Sequence, residues 1–163
     1  MKGFIITGTS SGIGHELCKI LLNNPENRII GISRSQNIEH INYHHIALDL
    51  NNISKIESID FPKWSNAEQI SLIHNAGWIG PIQKIGNQEI GSIASAYMIN
   101  LVAPAILSSK FIRVYKSAKV QKVILSISSG AANSPIGGWS TYCSSKAGLD
   151  CLVNVLTKNI MTS

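Results

Sequence analysis

Lys2-Gly3-Phe4-Ile5-Ile6-Thr7, continued by Gly8-Thr9-Ser10-Ser11-Gly12-Ile13-Gly14, decides the fold. Phe4-Ile5-Ile6 is a short apolar run closed at once by a turn, which predicts a buried strand over Lys2–Thr7. After the turn, Ile13, Leu17, Ile20 and Leu21 recur at helical spacing, and Asn23-Asn24-Pro25 stops that helix. Strand, glycine-rich turn and helix N-terminus together form a phosphate-binding device. Glycine lets the backbone approach a pyrophosphate closely, and the helix end offers free N–H groups and a positive dipole. The spacing Gly-x-x-x-Gly-x-Gly marks Gly8, Gly12 and Gly14, with Ser10, Ser11 and Ile13, as nucleotide contacts. A tight connection is the plain alternative, and the place between a strand and a helix favours the nucleotide.

Working outward, strand and helix alternate. Arg28–Ser33 reads as a second strand and His45–Leu50 as a third. A short helix is expected over Ser54–Ile59 and a fourth strand over Ile70–His74, closed by Asn75-Ala76-Gly77. A loop, Trp78–Asn87, leads into a long helix over Gln88–Lys116, which Pro104 should kink or divide. Asn100 sits in an apolar helical run and needs a partner. Lys122–Ser128 is the fifth strand, and a helix carrying Tyr142 runs to about Asn159. Such alternation predicts a doubly wound, Rossmann-like α/β sheet, a single nucleotide-binding domain over residues 1–163. The end of the second strand bears on cofactor choice. An acidic residue there would bind the adenosine ribose and favour NAD. Ser33-Arg34-Ser35 offers a hydroxyl and a guanidinium instead, which suits a 2′-phosphate and so NADP. An ordinary exposed arginine is the alternative.

The second informative stretch runs from Ser128-Ser129-Gly130 to Tyr142-Cys143-Ser144-Ser145-Lys146. Four residues apart on a helix, Tyr142 and Lys146 share one face. An ammonium beside a phenol favours the phenolate over its ordinary pKa of about 10 and makes a usable proton donor. Ser129 lies thirteen residues earlier, across a Gly- and Pro-containing loop, where its hydroxyl can reach the same substrate oxygen.

These motifs resemble the short-chain dehydrogenase/reductase family, with its Thr-Gly-x-x-x-Gly-x-Gly turn, its Asn-Ala-Gly element and its Ser followed by Tyr-x-x-x-Lys. The resemblance covers essentially the whole chain. It implies that NADPH lies on Gly8–Gly14, Ser33 and Arg34, with Asp49 against the adenine amino group beside Leu50, though Asp49 reads equally as the start of a turn before Asn51-Asn52. Asn75, Ala76 and Gly77 would steady the sheet and border the cofactor. It implies that Ser129, Tyr142, Lys146 and Asn100 are catalytic, with Lys146 also binding the nicotinamide ribose and Asn100 holding a water through its backbone. Ser129 would also hold the substrate. Gly137-Gly138-Trp139-Ser140-Thr141-Tyr142-Cys143 further resembles the sepiapterin reductase and benzil reductase branch, which reduces dicarbonyl compounds. Trp78 and Trp139 would then wall an aromatic pocket, or simply pack. The family pairs its two long helices into a homodimer. It also continues with a sixth strand, a substrate loop and a seventh strand, so the chain is expected to be C-terminally truncated. That leaves two readings: a carbonyl reductase, or an inactive nucleotide-binding or interaction protein.

Composition narrows the class. Of the 163 residues, 44% are hydrophobic and 14% charged, which excludes disorder and permits a sizeable core. The net charge of +5 comes from scattered Lys and Arg, so no nucleic-acid-binding stripe is expected. Glycines follow the first residues too soon for a signal peptide, and no apolar run of transmembrane length is read. Cys18, Cys143 and Cys151 have no metal-ligand spacing and suit a reducing cytoplasm. His74, where the family has Asn, is assigned no chemistry.

Overall fold

In a computed structural model that describes residues 1–64 and 66–161, the side chains of 159–161 excepted, β1 (Lys2–Thr7) is the middle strand of five. The others are β2 (Arg28–Ser33), β3 (Tyr43–Ala47), β4 (Gln69–His74) and β5 (Gln121–Ser126), all parallel, in the order β3-β2-β1-β4-β5. Alternate residues of β1 face opposite layers, as the period of a strand requires. Phe4 and Ile6 pack with Ile29, Ile73 and Cys18, the last from α1 (Gly12–Leu22). Ile5 packs on the other face with Ile30, Leu72, Leu107 and Phe111. Helices on both faces account for the near-continuous apolar runs of these strands.

The strand order reverses between β1 and β4, so the turns after Thr7 and His74 part there and open a crevice at the carboxyl edge. Two strands end earlier than the apolar pattern predicts. The register pairs Ser33 with Ala47 and His74 with Ser126, so β3 and β5 stop where β2 and β4 stop. The third strand is accordingly Tyr43–Ala47 and not His45–Leu50, and Asp49 and Leu50 lie in the turn after it.

Helix α2 spans Ile53–Ser58, with the Asn52 side chain accepting from the Lys55 N–H at its start. The long helix is broken as Pro104 predicts. α3 (Ile90–Tyr97) passes through one wide π turn, Met98–Val102, into α4 (Ala103–Val114). Proline has no N–H to offer the Asn100 carbonyl one turn back, and the wider turn absorbs that loss. Taken through the kink, Ile90–Val114 is long and apolar enough to cross a membrane by length and composition, with a mean hydropathy of 1.7 over its most apolar 18 residues. That corrects the expectation that no such stretch exists: serines and Asn100 interrupt the run but carry no charge. Ala103, Leu107 and Phe111 bury one side of α4 completely. The last helix, α5 (Ser140–Met161), packs beside β5. Among the described residues β5 pairs only with β4, and Leu125 stays 43% exposed.

Candidate active site at the carboxyl edge

The three glycines of the first turn serve different ends. Gly8 and Gly12 have φ of 74° and 58°, the left-handed region that glycine enters without strain. A Cβ on Gly8 would strike the Ala76 backbone, and one on Gly14 the Gly8 carbonyl and the Asn75 amide, whereas one on Gly12 would meet open space. Gly8 and Gly14 therefore let β1, α1 and the end of β4 close on one another. Gly12 leaves the helix N-terminus clear. Thr7 and Asn75 brace this junction. The Thr7 hydroxyl accepts from the N–H groups of Asn75 (3.1 Å) and Ala76 (3.0 Å), and the Asn75 amide donates to the carbonyls of Thr7 and Gly8. The Ser11 side chain does not cap α1, so first-turn N–H groups stay available to an anion.

From this junction a cavity of about 860 Å³ runs along the carboxyl edge. Its first half is lined by Gly8, Ser10, Ser11, Ile13, Ser33 and Arg34, with Asp49 and Leu50 at the side. Its second half is lined by Asn75, Ala76, Gly77 and Trp78, then Ser128, Tyr142 and Lys146. The structure thus brings most of the sequence-derived residues to one surface. Ser33 lines the cavity with Arg34, but its side chain is engaged by the chain itself. It is buried, and its hydroxyl donates to the Ser35 carbonyl (2.8 Å) while lying 3.2 Å from Thr9 Oγ1 and 3.0 Å from His45 Nε2. A hydroxyl has one proton, and in this arrangement Ser33 directs it to Ser35.

At the far end, α5 sets Tyr142 and Lys146 one turn apart, with the Lys146 Nζ 6.0 Å from the phenol ring centre. Lys146 is 3% exposed, and its ammonium donates to the Ile127 carbonyl at 2.8 Å, its one hydrogen bond among the described residues. Burial lowers the Lys146 pKa, and the carboxylate of Asp150, a turn further on, pulls it back up. An ammonium has three donors, so two remain for oxygen acceptors in the cavity. Ser129 follows β5 and starts a short 3-10 turn, Gly130–Ala132. Its hydroxyl accepts from the Ala131 N–H at 3.2 Å, so its proton is free to donate.

Gly12, Gly14, Asn100, Ser129 and Trp139 are not in the cavity lining. Asn100 is fully buried and grips Trp78: its amide donates to the Trp78 carbonyl and its Oδ1 accepts from the Trp78 N–H, both at 2.8 Å. It also donates to Ser145 Oγ at 3.0 Å, tying the kink to α5. Trp139 packs edge-on against Tyr142, ring centres 5.7 Å apart, and so orients the phenol from behind. His74, behind the edge, lies 2.8 Å from Ser108 Oγ, and burial with the Lys146 charge holds its pKa down to about 4.

Sequence reasoning missed Gln88. It is buried, donates to the Gln83 carbonyl at 2.9 Å and accepts from the Thr141 hydroxyl at 3.1 Å, so the Trp78–Asn87 loop is fastened beside Tyr142. Its only local sign was a polar side chain at the start of an apolar helix. Ser95 and Ile99, four apart on the kinked helix, line the cavity as well.

The sequence profile described as "short chain dehydrogenase" matches residues 2–163. The chain belongs to the short-chain dehydrogenase family. Among curated members it is 36% identical to the benzil reductase ((S)-benzoin forming) of Bacillus subtilis (strain 168) over 159 residues, covering 92% of this chain and 64% of that one. With the Bacillus cereus protein of the same name it shares 37% over 175 residues, covering 99% and 68%. It therefore spans about two thirds of these relatives' length. Among solved structures, a short-chain dehydrogenase/reductase from Burkholderia vietnamiensis superposes with a TM-score of 0.85 at 27% identity, over 96% of this chain and 76% of that one. A 4-hydroxyisoleucine dehydrogenase complexed with NADH and succinate gives 0.83 at 25%, over 96% and 72%.

Proposed function

We propose that this short-chain dehydrogenase is an NADPH-dependent carbonyl reductase that acts on ketones or dicarbonyl compounds. One observation carries the reading: Tyr142 and the buried Lys146 ammonium stand at one end of a cavity whose other end is a glycine-rich turn with Arg34 beside it. The residues fit a nicotinamide dinucleotide. The α1 N-terminus and the space over Gly12 suit its pyrophosphate, and the two remaining donors of Lys146 suit ribose hydroxyls. When bound, NADPH supplies a hydride to the carbonyl carbon. Tyr142 donates the proton to the carbonyl oxygen, so that ketone, hydride and proton give the alcohol. Ser129, the residue after the cavity-lining Ser128, donates a hydrogen bond to the same oxygen and stabilises the charge that develops there. Lys146 holds its positive charge beside the phenol.

Arg34, in place of an acidic residue at the end of β2, supports NADPH over NADH. Both dissociation constants test this: NADPH should bind more tightly, and equal affinities or tighter NADH would end the reading. Arg34→Ala should weaken NADPH selectively by about 1–3 kcal/mol, the cost of leaving a hydrogen-bonding group without its partner. Turnover of an aromatic 1,2-diketone tests the chemistry. The similarity to the Bacillus benzil reductases supports that substrate class. The alternative, a nucleotide-binding or interaction protein without turnover, draws on the exposed Leu125 on the one-sided β5. Binding of NADPH without turnover of any carbonyl would favour it.

We further place the protein in the cytoplasm, where Cys18, Cys143 and Cys151 stay free thiols. We propose a homodimer through the Ile90–Val114 stretch, of which only 28% is buried, and α5. Sedimentation as a monomer at micromolar concentration would count against it.

A further inference from the structure

Between β2 and the glycine-rich turn lies a hydrogen-bond network that the proposed chemistry does not use. Ser33 gives its one proton to the Ser35 carbonyl, which can only accept. Its other two neighbours, Thr9 Oγ1 at 3.2 Å and His45 Nε2 at 3.0 Å, must therefore donate to it. Thr9, its proton directed to Ser33, accepts in turn from the Tyr43 hydroxyl at 2.8 Å. Every bond in the network then has one direction only. Tyr43 serves this network from above Gly31, where any side chain would collide with its hydroxyl. Buried networks with every member satisfied hold a single geometry.

A second link lies four residues further on. The Asn37 amide donates to the Ser10 carbonyl at 2.6 Å. Ser33 is thus fastened to Thr9, and Asn37 to Ser10, its neighbour in the glycine-rich turn. Arg34 lies in the span between these two anchors. Its guanidinium makes no hydrogen bond among the described residues, and it lines the cavity with Ser10 and Ser11.

We propose that these two links staple the arginine-bearing segment to the phosphate-binding turn, and that Asn37 and His45 are positioning residues that set selectivity for a 2′-phosphorylated dinucleotide through Arg34. The proposal rests on the NADPH reading. Preorganising a long, flexible cation removes ordering costs from binding, and the gain goes only to a ligand that Arg34 touches.

The test is the NADPH-to-NADH affinity ratio, from fluorescence titration of the purified chain, with thermal melts of each variant. Asn37→Ala and His45→Leu should each lower the ratio about three- to tenfold, the size of one hydrogen bond, with NADH affinity unchanged. His45→Gln keeps an N–H donor and should keep the ratio. In an Arg34→Ala background Asn37→Ala should change nothing. The proposal is overturned if both affinities fall together, if the ratio does not move, or if Asn37→Ala still acts once Arg34 is gone. Asn37 is exposed, so its variant should fold even where His45→Leu does not. A wild-type chain without NADPH preference would remove the reading and this proposal together. A wild-type preference that survives Asn37→Ala removes the proposal alone.

Discussion

At the Gly8 end of the cavity, Thr7, Thr9, Ser33 and Asn75 direct their polar atoms to other parts of the chain. At the Tyr142 end, the Lys146 ammonium has one partner, and His74 Nδ1 has none among the described residues. The first end is held by the protein's own hydrogen bonds. Its geometry is set before any ligand arrives, which lowers the cost of binding. The second end keeps donors and charge in reserve. A buried ammonium with unused donors is costly in itself, and that cost is relieved when an oxygen acceptor enters. Binding geometry is thus built in at one end, and the capacity for chemistry is kept at the other.

Breaking the reactive end should give the largest effect. Tyr142→Phe removes one hydroxyl and almost no volume. It should lower the rate of diketone reduction by roughly 10²–10⁴-fold, the usual worth of a positioned general acid, with NADPH affinity nearly unchanged. Steady-state kinetics beside a cofactor titration decides this. Retention of more than about a tenth of the rate, with chemistry limiting, would assign the proton to another group.

The His74 contrast is next in size. Burial, and then the Lys146 charge, hold His74 down to about 4 against an ordinary 6.5. Between those values the unfolded chain takes up a proton that the folded chain refuses. Stability present above about pH 6.5 is therefore lost as pH falls toward 4, by about 3 kcal/mol in all. Urea titrations across that range should show the loss in the wild type and a flatter profile in His74→Asn. Parallel profiles would mean that other groups carry the acid limb.

Lys146→Met sharpens the comparison, because this residue is proposed to serve both catalysis and binding. It should weaken NADPH by about 1.5–3 kcal/mol, as for a lost charged hydrogen bond, and slow turnover as well. Burial lowers the Lys146 pKa, so the ammonium is lost as pH rises through a value below that of an exposed lysine. Cofactor affinity and rate should therefore fall together on the alkaline side. A fall in rate alone would confine Lys146 to the chemistry.

What the sequence disclosed was local. The buried β1, the turn with Gly8, Gly12 and Gly14, and the Tyr142–Lys146 pair each lie within a few residues of chain, where periodicity, glycine spacing and helix geometry operate. The alternation of strands and helices was enough to place these pieces on one sheet edge. Asn100 was legible as a polar group in need of a partner, but its partner was not, since Trp78 lies twenty-two residues earlier. Gln88 gave only the sign of a polar side chain before an apolar helix, because its partner Thr141 lies 53 residues further along the chain.

Ser33 marks the boundary most clearly. Its position at the end of β2 is a fact of sequence, and from position alone it reads as a phosphate ligand. Its proton is directed inward because β3, paired in register with β2, brings His45 beside it while the first turn brings Thr9. The residues by themselves determined which chemical groups stand near the carboxyl edge. Tertiary structure alone decided which of those groups are already bonded and which remain free for a ligand, because hydrogen bonds are allotted between segments that only folding brings together.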